Sequence, residues 1–166
     1  MAPKGCDTFL ASCLNDLSAP HRLRRLRPRQ IASVLRSLVR LGVHPGEDWL
    51  AELDAACYCH PGPFDPASAT AVLKYLAALH AATAQTLSAA AGPQAAALRL
   101  LQGGVSKYKY EQLAMLLQAF RRLGMTIDDE LALAVGRQMA GQLAGMAPGR
   151  RAAALRAVIG PSGGSA

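Results

Sequence analysis

The sequence predicts an all-α fold: a right-handed α-solenoid of about three helix-turn-helix repeats, with seven or eight helices in all. Two observations support this prediction. The chain is 51% hydrophobic but only 5% aromatic, so Leu, Ala, Val and Met must build its core, and this composition favours helices over strands. A helical segment also recurs along the chain at intervals of about 38 and about 44 residues, which is typical of stacked two-helix units.

The repeat is clearest between residues 30–42, QIASVLRSLVRLG, and residues 112–124, QLAMLLQAFRRLG, which are identical at six of thirteen positions. A fainter copy, DPASATAVLKYLAALH, covers residues 65–80 between them. We therefore predict an N-terminal helix and basic linker over 1–27, and three repeats over 28–145, at about 28–63, 64–104 and 105–145. A short closing helix and a flexible tail complete the chain over 146–166.

Each repeat is expected to open with a helix. In the first repeat, apolar residues fall at i, i+3, i+4, i+7 and i+10, which is a helical stripe; they are Ile31, Val34, Leu35, Leu38 and Leu41. Pro28 and Pro66 suit helix starts, and Gly42 and Gly124 suit the left-handed residue after a helix end. Second helices are predicted over 47–58, 83–101 and 128–144, where acidic residues in two first turns complement the helix dipole. Further helices are predicted over 8–17 and 150–159.

Several classes of protein are excluded by composition. At this length and hydrophobicity the chain can bury a core, so disorder is expected only in the tails. Four cysteines do not staple a secreted fold of 166 residues. We expect no signal peptide, because the apolar run after Lys4 is short and broken. We expect no membrane span either, because the longest uncharged stretch, 75–98, is mostly alanine with a break at 92–93.

One pattern carries a family resemblance. The first repeat reads Pro-x-Gln-Ile-Ala-x-Val-Leu-x-x-Leu-x-x-Leu-Gly and is followed by Pro45, Trp49 and Leu50. This pattern resembles the octotricopeptide repeat, an organellar repeat akin to the heptatricopeptide and FAST-kinase-like repeats that often precede a RAP domain. The third repeat keeps Gln-Leu-Ala and Arg-Leu-Gly but has Tyr110 where the first has Pro28, and it has no Trp at the position of Trp49. The resemblance covers roughly residues 28–145.

The resemblance implies a non-catalytic α-solenoid that binds organellar RNA. It places the protein in a mitochondrion or, as the alternative, a chloroplast. Helical-repeat proteins of this kind are also built into organellar ribosomes, so ribosomal RNA and the neighbouring proteins of a ribonucleoprotein assembly are the expected partners. The rival interpretation is a protein–protein scaffold subunit of an organellar complex without RNA contact, whose acidic segment 47–65 faces a basic neighbour.

The net charge of +7 is unevenly spread, as a polyanion-binding surface requires. Seven arginines and no acid lie between residues 17 and 46, whereas residues 47–65 hold five acids and no base. Because a solenoid puts all first helices on one wall, that wall should be basic. Stacking then predicts two rows on the polar face of the first helices, Arg36–Lys74–Gln118 and Arg40–Ala78–Arg122. A merely solvated face is the alternative.

Two further segments are candidates for RNA contact. The arginines over residues 22–29 are so close together that they repel one another, so this segment should stay unfolded until a polyanion neutralises it. The alternative is a basic segment that only aids solubility. Lysines and tyrosines alternate over residues 107–110, where bases could stack on rings, or the rings could instead be core or capping residues. The candidate RNA-binding residues are therefore Arg22, Arg24, Arg25, Arg27, Arg29, Arg36, Arg40, Lys74, Lys107, Tyr108, Lys109, Gln118 and Arg122.

Catalytic and metal-binding patterns are weak in this sequence. The one metal-like cluster is Cys57-Tyr58-Cys59-His60, but zinc sites usually space their thiolates more widely and need four ligands. We interpret its cysteines as buried free thiols, and whether Cys57, Cys59 or His60 binds anything stays open. No phosphate loop or nucleophile elbow is present in the sequence. We therefore expect no enzyme activity, no cofactor, no metal and no small-molecule substrate.

Overall fold

The computed structural model describes residues 5–18, 22–82 and 104–159. All regular elements in these ranges are helical, which confirms the all-α prediction. The predicted helix over 83–101 and the predicted tail after residue 160 lie outside the described residues. None of the described helices has the length and apolar character that crossing a membrane requires.

Eight helices occupy the described ranges. They are α1 (Gly5–Ser18), α2 (Arg22–Arg25), α3 (Pro28–Leu41), α4 (Glu47–Tyr58), α5 (Pro66–Ala82), α6 (Tyr110–Arg122), α7 (Asp129–Ala144) and α8 (Pro148–Ile159), and a 3-10 turn (Val105–Lys107) precedes α6. The predicted helix over 47–58 is confirmed residue for residue. Those predicted over 8–17, 128–144 and 150–159 are confirmed with ends that differ by three residues or fewer.

The first helices of the outer repeats, α3 and α6, begin in the same way. The backbone N–H of Arg27 donates to Oε1 of Gln30 at 2.8 Å, and the N–H of Lys109 donates to Oε1 of Gln112 at 2.9 Å. In each case a glutamine at the third helical position reaches back to the residue that precedes the helix. Helix α5 of the middle repeat begins differently: the side chain of Asp65 accepts a hydrogen bond from the backbone N–H of Ser68 at 3.0 Å.

Both helices also end alike. Gly42 has a φ of 65° and Gly124 a φ of 64°, so the glycines at the two predicted stops are left-handed. The N–H of Val43 then donates to the carbonyl of Leu38 at 3.1 Å, and the equivalent bond after Gly124 measures 3.0 Å. These are the bonds of a Schellman motif, which satisfies carbonyls that a helix end leaves free. The start and stop signals of the repeated sequence are therefore confirmed.

The left-handed Gly124 gives a testable effect on stability. We expect Gly124→Ala to lower the free energy of unfolding by roughly 1 kcal/mol, because an L-residue pays that much to occupy this region. Gly136→Ala, in the exposed part of α7 with nothing within 4 Å of the new Cβ, is the matched control. It should stabilise the protein by up to about 1 kcal/mol, since alanine is the better helix former. Equal melting temperatures of the two variants would contradict this prediction.

The core lies between α3, α5 and α6, the helices predicted to open the three repeats, and it also includes the buried face of α4. Helix α5 packs against α3 on one side and against α6 on the other. Most of the predicted apolar residues face these contacts and are buried; they are Ile31, Leu35 and Leu38 in α3, Leu73 and Leu76 in α5, and Leu113, Leu116 and Phe120 in α6. The end of the first stripe is different, because Val34 is half-buried and Leu41 is 59% exposed, so the prediction that Leu41 belongs to the buried stripe is wrong. Helices α3, α5 and α6 therefore lie side by side, with α5 in the middle.

Helix α2 forms where the sequence predicted unfolded chain. Residues Arg22–Arg25 make one helical turn that packs against α1 and α4, and Leu23 is buried there. Burying a leucine contributes about 1.5–3 kcal/mol, whereas repulsion between exposed arginines is weakened by water and salt. The prediction that this segment stays unfolded without a polyanion is therefore wrong.

Candidate nucleic-acid interface

A groove between α5 and α6 brings together three of the candidate residues. Lys74 of α5 faces Gln118 and Arg122 of α6 across a cavity of about 220 Å³. Ala77, Met115 and Ala119 complete its lining; the two alanines are buried, whereas Met115 is exposed. The groove therefore brings two cations and one amide together between α5 and α6.

Helical periodicity explains why these side chains reach the groove. Leu73 and Leu76 turn into the core on either side of Lys74, which leaves the lysine exposed. Gln118 and Arg122 are four residues apart on α6 and therefore share one face. The Nζ atom of Lys74 lies 5.7 Å from the centre of the Tyr75 ring, a distance at which the ring attracts the ammonium group.

The members of the predicted rows on α3 stand apart from this groove. Arg36 and Arg40 are exposed on α3, the helix that packs against α5, but neither lines the cavity between α5 and α6. In the second row the groove is lined by Ala77 rather than by the predicted Ala78. The structure thus brings together Lys74 and Gln118 of the first row and Arg122 of the second.

The arginines before α3 occupy two different places. Arg22, Arg24 and Arg25 are exposed on α2, which packs against α4 rather than against the first helices of the second and third repeats. Arg27 and Arg29 are exposed at the start of α3. Partial burial raises the pKa of Asp65, but hydrogen bonds from Ser68 and the charge of Arg29 outweigh it, and the net pKa is lowered. Arg29 therefore lies beside the start of α5.

The segment 107–110 separates lysines from tyrosines. Lys107 and Lys109 are exposed, but Tyr108 is only 2% exposed and belongs to the core. Burial, and secondarily the charge of Asp65, raises the pKa of Tyr108 to about 12. Gln142 of α7 donates from Nε2 to the carbonyl of Tyr108 at 2.8 Å and fixes this segment. A base cannot stack on a buried ring, so the prediction that Tyr108 contacts RNA is wrong, and the alternative of a core residue holds.

The cysteine cluster is divided between core and surface. Cys57 is buried, and burial together with the charge of Asp54 raises its pKa to about 12. Cys59 is exposed, so the interpretation as buried thiols is right for Cys57 and wrong for Cys59. The ring of His60 packs edge-on against the ring of Phe64, and the two ring centroids are 5.1 Å apart. Among the described residues, no three His, Cys, Asp or Glu side chains are arranged to hold a metal ion.

Two buried titratable groups lie away from the cationic groove. Asp54 of α4 is 8% exposed, its Oδ1 has no hydrogen-bond partner in the described structure, and burial raises its pKa from 3.8 to about 7. Burial lowers the pKa of His80 at the end of α5, while Glu47 opposes that change and His44 adds to it. Neither group was a sequence candidate, because their burial depends on how helices pack.

A second groove, between α6 and α8, contains residues that the sequence analysis did not single out. It has a volume of about 510 Å³, and α8 contributes Arg150, Ala153 and Ala154 to it. From α6 it takes Met115 and Gln118, which also line the first groove. The spacing of the helix starts could have predicted this groove. Helix α8 begins as many residues after α6 as α5 begins after α3, so α8 should pack beside α6.

The fold and the first groove together define an all-helical protein with a cationic groove between two neighbouring helices. No known protein family matches the chain, and neither a curated protein nor a solved structure matches it. The octotricopeptide resemblance therefore stays a prediction that depends on the residues of the first repeat.

Proposed function

We propose that this chain is a non-catalytic RNA-binding helical-repeat protein that holds single-stranded RNA along its first helices. The observation that supports this most directly is the convergence of Lys74, Gln118 and Arg122 on one groove between α5 and α6. In this proposal α3, α5 and α6 are the first helices of a right-handed α-solenoid. Their exposed cations form one interface, which Arg36 and Arg40 extend along α3.

Phosphate is the ligand chemistry that suits the first groove. Two cations on opposite sides of a narrow cavity attract a polyanion, and the fork of Arg122 can donate two parallel hydrogen bonds to one phosphate group. The groove has a volume of about 220 Å³, below the range of about 300–1,000 Å³ that is usual for small-molecule sites. A chain of phosphates passing across the helices therefore fits this surface better than an enclosed small molecule.

The cellular setting in this proposal comes from the octotricopeptide resemblance. It is a mitochondrion, with a chloroplast as the alternative, and the RNA is organellar, with ribosomal RNA of the organellar ribosome as the most natural case. Crosslinking the protein in its native setting and sequencing the attached RNA tests this part. Recovery of organellar ribosomal RNA would support it, and recovery of cytosolic transcripts alone would contradict it.

Electrostatic binding predicts a steep salt dependence. We expect the affinity for a short single-stranded RNA, followed by fluorescence anisotropy, to fall as salt rises, because each phosphate contact releases a counterion. At about 0.7 per contact on single strands, Lys74 and Arg122 together give a log–log slope of about −1.4, and each further contact made by Arg36 or Arg40 adds about 0.7 to its magnitude. Binding whose slope is near zero would contradict phosphate recognition.

The scaffold interpretation has its own supporting observation. Glu47, Asp48 and Glu52 are exposed on α4, so the wall formed by a second helix carries an acidic patch that could face a basic protein. Only this interpretation leaves the protein without RNA affinity at low salt. No binding of RNA at low salt, together with loss of partner proteins when the three acids are neutralised, would favour the scaffold over the RNA-binding proposal.

A further inference from the structure

The starts of four helices follow the repeat interval. Helices α3, α5, α6 and α8 begin at Pro28, Pro66, Tyr110 and Pro148, so the interval from α6 to α8 equals the interval from α3 to α5. Three of the four helices begin with proline. The sequence analysis treated α8 only as a closing helix, but its position is that of a first helix in a fourth repeat.

The packing agrees with this register. Helix α8 contacts α6, just as α6 contacts α5 and α5 contacts α3. Met115 and Gln118 line both the groove shared with α5 and the groove shared with α8, so the polar face of α6 lies between them. Ala153 of α8 occupies the same repeat position as Met115 of α6 and lines the same groove. The row of first helices therefore continues from α6 to α8.

The charge of α8 extends the cationic surface. The helix carries three arginines and no acid over its described length. Arg156 falls at the repeat position of Gln118, counted from the start of each helix. Arg151 is already used, since its guanidinium donates to the carbonyls of Ala144 and Met146 at 3.3 and 3.1 Å. Arg150 lines the groove and is exposed, so it is the cation best placed to meet a ligand there.

The second groove differs from the first in size and chemistry. Its volume of about 510 Å³ lies within the range of about 300–1,000 Å³ that small-molecule sites occupy. Its lining is mostly apolar, with three alanines, two methionines and Tyr110, and its polar members are Glu111, Gln118 and Arg150. Apolar side chains beside a guanidinium suit the flat face of a nucleobase and the phosphate that adjoins it.

We propose that the groove between α6 and α8 binds one unstacked base of a single-stranded RNA whose phosphates follow the groove between α5 and α6. This inference rests on the proposed function and adds the ligand class of a second site. The base lies against the alanine and methionine side chains that line the groove, and Arg150 holds the adjoining phosphate. Because a paired base is stacked inside a duplex, the site selects single-stranded over double-stranded RNA.

A substitution that fills the groove between α6 and α8 tests this site without changing the charges of the rest of the interface. We expect Ala153→Leu to weaken single-stranded RNA binding about tenfold and to leave the salt slope unchanged, because it removes space and no charge. Ala152→Leu is the matched control, since Ala152 is exposed on the same helix and does not line the groove. Arg150→Gln should weaken binding and also reduce the slope by about 0.7. Circular dichroism verifies that each variant is folded.

A fluorescent purine analogue in the RNA gives an independent readout. Its emission should change on binding to the unsubstituted protein and to Ala152→Leu, but not to Ala153→Leu. If the unsubstituted protein binds RNA and both Ala153→Leu and Arg150→Gln bind it equally well, the second site is refuted while the proposed function stands. If the unsubstituted protein binds no RNA at low salt, the proposed function itself fails. Equal affinity for duplex and single strand would also overturn the base site.

Discussion

Asp54→Asn is expected to be more stable than the unsubstituted protein above a pH of about 7, and this difference should shrink as the pH falls toward 3.8. Asp54 lies on α4, is buried, and has no hydrogen bond to Oδ1 within the described structure. Charging this carboxyl inside the core is costly, because no donor there replaces the water that Oδ1 loses. The amide of asparagine has nearly the same shape and carries no charge.

The sign of the pH dependence follows from the raised pKa. Between 3.8 and about 7 the folded protein keeps a proton that the unfolded chain releases, so the stability contributed by Asp54 is complete below 3.8 and is lost as the pH rises through 7. At 1.36 kcal/mol per unit of pKa the loss amounts to roughly 4 kcal/mol at most. For a domain of this size, each kcal/mol shifts the melting temperature by about 2–4 °C.

Thermal melts across this pH range test the prediction. Glu52→Gln is the matched control, because it removes one carboxylate from an exposed position of the same helix. His80 contributes in the opposite direction: burial lowers its pKa, so its stabilising effect disappears as the pH falls below 6.5. All three proteins keep His80, so their difference isolates Asp54. The same pH dependence in Asp54→Asn and in the unsubstituted protein would refute the prediction.

Local signals in the sequence predicted most of the helical structure. Gly42 and Gly124 mark helix ends because only a residue without Cβ adopts their left-handed conformation cheaply. Gln30 and Gln112 each accept a hydrogen bond from the backbone N–H of the residue that precedes the helix, so the same residue at the same repeat position gives the same helix start. These interactions span a few residues, which is why their geometry can be inferred from spacing alone.

Features that depend on distant packing could not be inferred in this way. Asp54 carries an ionisable side chain and Tyr108 stands between two lysines in the sequence, so both look like surface residues, yet packing buries both. Helix α2 forms because its Leu23 is buried against α1 and α4. Nothing in the sequence of residues 22–29 indicates that these two helices pack there. The composition of this segment predicted that repulsion between its arginines would keep it unfolded, but the burial of Leu23 stabilises α2 more than the repulsion destabilises it.

The candidate site shows the same division. Helical periodicity placed Lys74, Gln118 and Arg122 on exposed faces, and the groove confirms that these faces adjoin. Periodicity does not fix how far one helix is displaced along its neighbour. As a result, Lys74 of the first predicted row shares a groove with both Gln118 of its own row and Arg122 of the other row.

Removing the cations of this groove is expected to have the largest effect on RNA binding. Lys74→Gln and Arg122→Gln should each weaken the binding of a short single-stranded RNA about tenfold at low salt, because each loses a charge-assisted hydrogen bond to phosphate. The double variant should also lose about 1.4 from the magnitude of the log–log salt slope, at about 0.7 per contact. Both side chains are exposed, so neither substitution should disturb the core.

The matched control for this experiment is Arg137→Gln. Arg137 is exposed on α7 and lines neither groove, so its removal changes the net charge by the same amount at a different place. If binding depended only on overall charge, Arg137→Gln would weaken it as much as Arg122→Gln does. A clear difference between these two variants assigns the phosphate contact to the groove between α5 and α6. Equal losses would mean that this groove is not where RNA is held.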